Sequence, residues 1–353
     1  MLYYLADFFI DSFGPFRLFQ SYAVLIELAF FISFFVTVFL LPKFYKKLPT
    51  DRGREFTFNA EAAKGKPTGS GSIFISIFAI VAFLFVPLNP LQLIIIALTW
   101  LTMLTGFLDD RSIISWGEYK KGALDLIISL IASFALYSFL KDESGVHFWL
   151  PFTSKVFTIK PWLYIIISTV LLWLSINTTN CTDGVDGLSA TLSLLALITM
   201  GIIFYFILGH TDIASYLLVP HLKNGATWSI ITFTLSGCLL GYLWHNAFPS
   251  KVLMGDAGSR ALGFFIGIAV MISGNPFLIL VTSSIIFING GMGLIKVFLL
   301  RFFKIKIFKK IRFPLHDHMR KNYLWSPTQI LIKFFIIQIL ITIAVVGIFF
   351  KIR

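Results

Sequence analysis

Apolar runs close to the length of a membrane span follow one another along the chain, parted by short polar stretches. Hydropathy places them at roughly 21–41, 72–87, 90–107, 122–140, 161–178, 188–208, 227–245, 261–274, 277–302 and 328–350. A span takes about 20 apolar residues, so about ten transmembrane helices are expected. Pro87-Leu88-Asn89-Pro90 is the whole link between the second and third, and Gly274-Asn275-Pro276 that between the eighth and ninth, so neither link hosts a folded domain. The expected architecture is an all-α integral membrane protein, a single polytopic domain over residues 1–353. Its polar loops fall at about 42–71, 108–121, 179–187, 246–260 and 303–327. Residues 1–20 lack the basic n-region and cleavage site of a signal peptide, and their apolar run carries Asp7 and Asp11. They read as an interfacial amphipathic segment ahead of the first span.

Composition agrees with the pattern and adds an orientation. Hydrophobic residues make up 57% of the chain and the mean hydropathy is +0.87, values that exclude a soluble domain of this size. Only 13% of residues are charged, yet the net charge is +12. The loop at 42–71 holds Lys43, Lys46, Lys47, Arg52, Arg54, Lys64 and Lys66, and eight more cations lie between Arg301 and Lys321. With Arg111, Lys120, Lys121, Lys251 and Arg260, about 20 of the 29 Lys and Arg share one side, which the positive-inside rule makes cytoplasmic. An even number of spans then leaves both termini on the outer face. The two cysteines, Cys181 and Cys238, are too few for a disulfide framework. The 40 phenylalanines are spread through the spans and read as lipid-facing and packing material.

The acids fall on the same cytoplasmic side. Asp109 and Asp110 end the third span, Asp183 and Asp186 sit in Asn180-Cys-Thr-Asp-Gly-Val-Asp-Gly-Leu188 at the end of the fifth, and Asp256 follows the seventh. Asp183 and Asp186 are three apart and would share a face on a helix, with Gly184 and Gly187 admitting a ligand or a backbone beside them. Carboxylates at a membrane boundary are costly and therefore functional candidates. Clustered, they repel one another and call for a cation. Carboxylates among glycines and lysines suit Mg²⁺, which takes one or two carboxylates and completes its shell with water and phosphates. Gly255, Gly258 and Ser259 flank Asp256 just before a helix, where backbone N–H groups meet anions. Metal-assisted phosphoryl transfer at the membrane surface fits this set.

Near the C-terminus, Phe313-Pro-Leu-His316-Asp317-His318 follows a stretch of alternating basic and apolar residues suited to an anionic leaflet. A zinc site would need further ligands nearby, so the two histidines read as partners of phosphate or sugar. His147, His210, His221 and His245 read as structural. Gly290-Gly291-Met292-Gly293 in the ninth span suits either a bend that opens an apolar groove or close helix packing.

Taken together, Phe107-Leu-Asp-Asp110, Asn180 to Leu188 and Met254-Gly-Asp-Ala-Gly-Ser259 resemble the polyprenyl-phosphate N-acetylhexosamine-1-phosphate transferase superfamily. Within it the chain is most similar to the phospho-N-acetylmuramoyl-pentapeptide transferases of peptidoglycan synthesis, over about Lys64 to His318 and including the ten-span layout. The resemblance implies transfer of phospho-N-acetylmuramoyl-pentapeptide from its UDP carrier to undecaprenyl phosphate, with release of UMP, in the bacterial inner membrane. It implies Asp109 as the base toward the lipid phosphate or, in a two-step scheme, the nucleophile. Asp256 becomes the Mg²⁺ ligand, with Asp110 supporting metal and phosphates. Asn180, Asp183, Asp186 and Asn246 would line the nucleotide and diphosphate pocket, Lys121 matches a family lysine, and His316 and His318 match the outer members of a three-histidine run.

The implied partners are undecaprenyl phosphate, UDP-N-acetylmuramoyl-pentapeptide and the lipid bilayer, with no nucleic acid; a homodimer is left open. Three positions depart from the family pattern: Asp317 replaces the middle histidine, Ile113 stands for a lysine, and Ala63 occupies the place of another, whose role passes to Lys64 or Lys66. The nearest rival is a UDP-N-acetylglucosamine:polyprenyl-phosphate N-acetylglucosamine-1-phosphate transferase, and a rival of another class is an ion-coupled transporter.

Overall fold

The computed structural model describes residues 1–11, 13–53, 64–142, 145–151, 153 and 155–351, so Arg54 and Ala63 lie outside the described residues. The chain is a bundle of helices: α1 (Leu2–Phe9), α2 (Tyr22–Leu40), α3 (Gly71–Phe85), α4 (Pro90–Arg111), α5 (Glu118–Leu140), α6 (Pro161–Thr182), α7 (Leu188–Ile202), α8 (Thr211–Tyr216), α9 (Gly225–Asn246) and α10 (Gly255–Ile272). After these come α11 (Leu278–Thr282), α12 (Ser284–Ile286), α13 (Met292–Phe303), α14 (Leu315–Tyr323) and α15 (Pro327–Lys351). Among the described residues nine helices are long and apolar enough to cross a membrane, and α3, of 15 residues, is a shorter apolar helix.

Helix α10 is the axis of the bundle. All 18 of its residues are buried, and it packs against α3, α4, α6 and α7. Small residues allow the approach: a Cβ on Gly106 of α4 would overlap the backbone of Asp256 and Ala257, and one on Gly263 would overlap that of Ser175 and Ile176 in α6. At 1.5 Å per residue α10 is about 27 Å long, close to the thickness of a hydrocarbon core. Around it, α9 lies along α2, α5 packs on α4 and α6, and α15 closes over α7, α11 and α12. Many buried hydroxyls inside the bundle bond to the preceding turn of their own helix, as Thr99 does to the Ile95 carbonyl and Thr232 to that of Trp228, and so need no partner from a neighbouring helix.

The tight Pro87 to Pro90 link is a helix start: Asn89 caps α4 and exchanges hydrogen bonds with Gln92 in a capping box, with Pro90 at the first helical position. Elsewhere the structure corrects the expected layout. The fold is all-α as expected apart from one short hairpin, in which β1 (Val146–Trp149) and β2 (Val156–Ile159) pair antiparallel, Val146 opposite Ile159. Trp149 pins this hairpin to the far end of α10, its backbone N–H reaching the Gly274 carbonyl at 3.0 Å and its ring N–H that of Ser273 at 2.7 Å. The ninth expected span is not one helix. It breaks at Ser283 and widens to a π-helix over Phe287–Gly291. Gln338 of α15 makes the break tolerable, accepting from the Ile285 N–H at 2.8 Å and donating to the Val281 carbonyl at 2.9 Å. Gly290 in the widened turn packs against the Thr178 backbone of α6, so the glycine run serves both irregularity and close packing.

Candidate active site

Four helix ends meet at one end of α10, and each brings one part of a polar cluster. The last turn of α4 supplies Asp109 and Asp110, the first turn of α5 supplies Lys121, the last turn of α6 supplies Asn180, and α10 opens with Asp256. Asp256 is the second residue of α10, which begins six positions ahead of the span expected from 261. Its carboxylate accepts from Asn180 Nδ2 at 3.0 Å through one oxygen and from Lys121 Nζ at 2.9 Å through the other. Lys121 also pairs with Asp109, so one ammonium bridges two carboxylates whose residues are 7% and 3% exposed. The backbone N–H of Trp116 fixes the other Asp109 oxygen at 2.7 Å.

The neighbouring Asp110 has a different task. Its two oxygens accept from the backbone N–H groups of Asp256 and Ala257, each at 3.0 Å. It therefore caps α10 from another helix, where a negative charge is favoured by the unpaired N–H groups and the helix dipole. Gly255, at φ +68°, leaves room for that carboxylate: a side chain there would overlap Asp110.

Behind this cluster the turn after α6 wraps toward α9. Asp183 is the C-cap of α6, and Asp186 lies in the turn that leads to α7. The two do not share a helical face as their spacing allowed, because α6 ends between Asn180 and Asp183. Asp186 accepts from the Ser250 N–H at 3.0 Å and lies 3.6 Å from Lys66 Nζ, which also donates to Ser250 Oγ at 3.0 Å. Lys64 is exposed, so of the two lysines Lys66 is the one turned toward the acids. Asn246 braces the turn: its oxygen accepts from the Gly187 N–H and its amide donates to the Val252 carbonyl, both at 2.8 Å.

The C-terminal segment reaches the same place. A side chain on Gly184 would collide with the His316 ring, whose Cε1 would lie 2.9 Å away, so the imidazole stands directly over the Asp183 to Gly187 turn. His316 is held by Asn289 of the π-helix, which accepts from its backbone N–H at 2.8 Å and places an amide nitrogen 3.1 Å from Nδ1. His318, two residues on, turns elsewhere: its Nδ1 accepts from the Arg312 N–H at 3.3 Å and lies 3.2 Å from Asn322 Nδ2. Asp317 is buried, with Arg312 Nε at 3.7 Å.

Residues 92–274 match the model of glycosyl transferase family 4. A relative named phospho-N-acetylmuramoyl-pentapeptide-transferase in Treponema pallidum (strain Nichols) is 54% identical over 341 residues, covering 97% of this chain and 94% of the relative. Relatives of the same name in Campylobacter jejuni (strain RM1221) and in a Nitratiruptor species are 31% and 30% identical, each covering 96% of this chain and 97% of the relative. The chain belongs to this family.

In this phospho-N-acetylmuramoyl-pentapeptide transferase family member the donor set can be tested against the divalent ion that the resemblance implies. Among the described residues no three Asp, Glu, His or Cys side chains form a ready-made metal cage. Asp109 and Asp256 form a two-carboxylate pair that already accommodates one positive charge, that of Lys121. Such a pair fits Mg²⁺, which is bound through one or two carboxylates plus substrate phosphates and not by an all-protein cage. Sequence reasoning missed Asn289 and Trp116, and it named Ser259 only as a small residue flanking Asp256. Ser259 Oγ accepts from Asn180 at 3.0 Å, and its place in the Met254 to Ser259 stretch was the available signal. Trp116 acts through its backbone, which no residue pattern reveals.

Proposed function

We propose that this chain transfers phospho-N-acetylmuramoyl-pentapeptide from its UDP carrier to undecaprenyl phosphate, releasing UMP, as a multi-pass protein of a bacterial inner membrane. The observation that carries the reading is the convergence of Asp109, Lys121, Asn180 and Asp256 at one end of a buried helix, in a chain 54% identical over nearly its whole length to a transferase of that name. The clustering of basic residues on the loops at this end supports a cytoplasmic site, with ten spans counting α3 and both termini outside as the layout that goes with it.

The lipid phosphate enters beside Asp109, whose carboxylate takes its proton in a single displacement; in a two-step course the carboxylate would itself bond to the sugar-linked phosphorus as UMP leaves, and the lipid phosphate would then break that carboxylate–phosphorus bond. In the single displacement an oxygen of the lipid phosphate bonds to the sugar-linked phosphorus, the bond from that phosphorus to the bridging oxygen breaks, and UMP leaves. Asp256, joined by Asp109, would hold a Mg²⁺ that neutralises the diphosphate. Lys121 and Lys66 add positive charge around the phosphates, Asn180 keeps the Asp256 carboxylate oriented, and His316 faces the nucleotide side over the Asp183 to Gly187 turn.

The test is UMP release by the detergent-purified protein with each sugar nucleotide in turn. Release with the muramoyl-pentapeptide donor is expected, and activity with UDP-N-acetylglucosamine alone would overturn the reading.

A further inference from the structure

One charge pair lies beneath the site and takes no part in the chemistry above. Asp125 of α5 and Arg260 of α10 are each only 1% exposed, and the Asp125 carboxylate accepts from Arg260 Nε at 3.1 Å and from Nη2. Two such charges within a membrane span are costly, so their retention asks for a reason.

Their places in the helices supply it. Asp125 lies four residues after Lys121, and Arg260 four after Asp256, so each stands one turn below a site residue on the same helix face. The four groups form a square of alternating charge: Lys121 with Asp256 across the helices, Asp125 with Arg260 across them below, and an opposite charge along each helix. Every member thus has two partners within reach, one across and one along. The observed state is the crosswise one. Among the described residues Arg260 Nη1 has no hydrogen-bond partner, so the guanidinium keeps a spare donor for a second acid.

We propose that Asp125 and Arg260 are positioning residues that hold Lys121 on Asp256 and Asp109, each occupying the charge that would otherwise pair along its own helix. With Asp125 neutral, Arg260 turns to Asp256 and displaces Lys121. With Arg260 neutral, Asp125 draws Lys121 down and away from both site acids. The pair therefore sets where the ammonium sits in the reacting cluster, in addition to tying α5 to α10. This rests on Asp109, Lys121 and Asp256 being the reacting cluster, and its key readout is taken without substrate or metal, so it stands or falls apart from the identity of the donor.

The experiment compares full-length wild type, Asp125→Asn, the neutral double variant Asp125→Asn/Arg260→Met and the reversed pair Asp125→Arg/Arg260→Asp. For each, acylation of the Lys121 amine is followed by mass spectrometry in metal-free detergent solution, together with kcat, KM and the thermal midpoint. Asp125→Asn is expected to label Lys121 severalfold faster and to lose roughly tenfold to a hundredfold in kcat with KM little changed, as a small misplacement at a reacting centre does. The neutral double variant returns labelling to the wild-type rate and recovers most of kcat. The reversed pair keeps its midpoint, because the crosswise bridge survives, but stays inactive, because an acid at position 260 competes for Lys121. Unchanged labelling and kcat in Asp125→Asn would overturn the proposal, as would a reversed pair as active as wild type, the result of a simple clamp. Should Asp125→Asn fail to fold, the neutral double variant decides: folded with wild-type labelling it supports positioning, and unfolded as well it supports the clamp alone.

Discussion

Asp109 and Asp110 are adjacent carboxylates, and the structure separates their roles sharply enough to predict different phenotypes for the same substitution. Asp110 accepts two backbone N–H groups at the start of α10, both at 3.0 Å. Hydrogen bonds to a charged group contribute about 1.5–3 kcal/mol each against about 1 kcal/mol for a neutral one. Asp110→Asn keeps one neutral acceptor and turns an NH₂ toward the second N–H, so the loss falls between about 2 and 5 kcal/mol. Asp110 is half-buried, which places the expected value near the lower end, about 2 kcal/mol. If the cap is needed to present Asp256, this corresponds to between one and two decades in rate, at about 1.4 kcal/mol per decade. Asp109→Asn removes one of two carboxylates sharing an ammonium, relieves their mutual repulsion, and leaves α10 capped. It should abolish turnover with a thermal midpoint within about 2 °C of wild type, while Asp110→Asn lowers the midpoint by several degrees and the rate together. UMP release and thermal unfolding of the detergent-purified variants measure both quantities. An Asp110→Asn protein with wild-type midpoint and rate would refute the capping role, and one with a lost rate but an intact midpoint would assign Asp110 to the chemistry itself.

Other consequences are more quickly stated. Lys121→Met leaves Asp109 and Asp256 facing each other without a cation, so the thermal midpoint should fall in EDTA and recover on addition of millimolar Mg²⁺ more than that of wild type does; equal responses would count against the bridging ammonium. Asp256→Asn should cost several decades in kcat in a folded protein, and an effect below tenfold would remove Asp256 from the metal-holding role. Asn289→Ala should raise KM for the sugar nucleotide through loss of the His316 position, and combining it with His316→Ala should add little, because both changes act on one contact. Asn246→Ala leaves the Gly187 N–H and the Val252 carbonyl without partners and should destabilise the protein by about 2 kcal/mol, read as a lower thermal midpoint.

The apolar runs were legible because hydropathy needs only composition over a window, and nine of the ten have a single helical stretch at their place, the ninth run being broken into shorter ones. Helix ends were less so. α10 starts at Gly255 and α6 runs to Thr182 because the polar residues of the site lie on the helices themselves, and a hydropathy window reads those turns as loop. The same effect hid Asp125, an acid inside the expected span 122–140 whose presence there was a signal in its own right, and it left Arg260 counted among loop cations. The hairpin and the break at Ser283 depend on partners far along the chain, the carbonyls of Ser273 and Gly274 for Trp149 and the amide of Gln338 for Ile285. No local pattern carries that information.

The position of the charges along α10 also bears on what the bundle can do. After Arg260 the helix reads Ala-Leu-Gly-Phe-Phe-Ile-Gly-Ile-Ala-Val-Met-Ile, every residue buried, down to the end where Trp149 docks. An ion crossing the bilayer beside α10 would need polar groups along that length, since a charge without them meets a steep desolvation cost. The helix offers them only in its first two turns, where α4, α5 and α6 converge. A polar cluster confined to one end of the helix, with packed apolar side chains along the rest of it, suits a reaction between a water-borne nucleotide and a lipid head group. It does not suit passage, and the burial of α10 is therefore as much a part of the chemical argument as the aspartates that begin it.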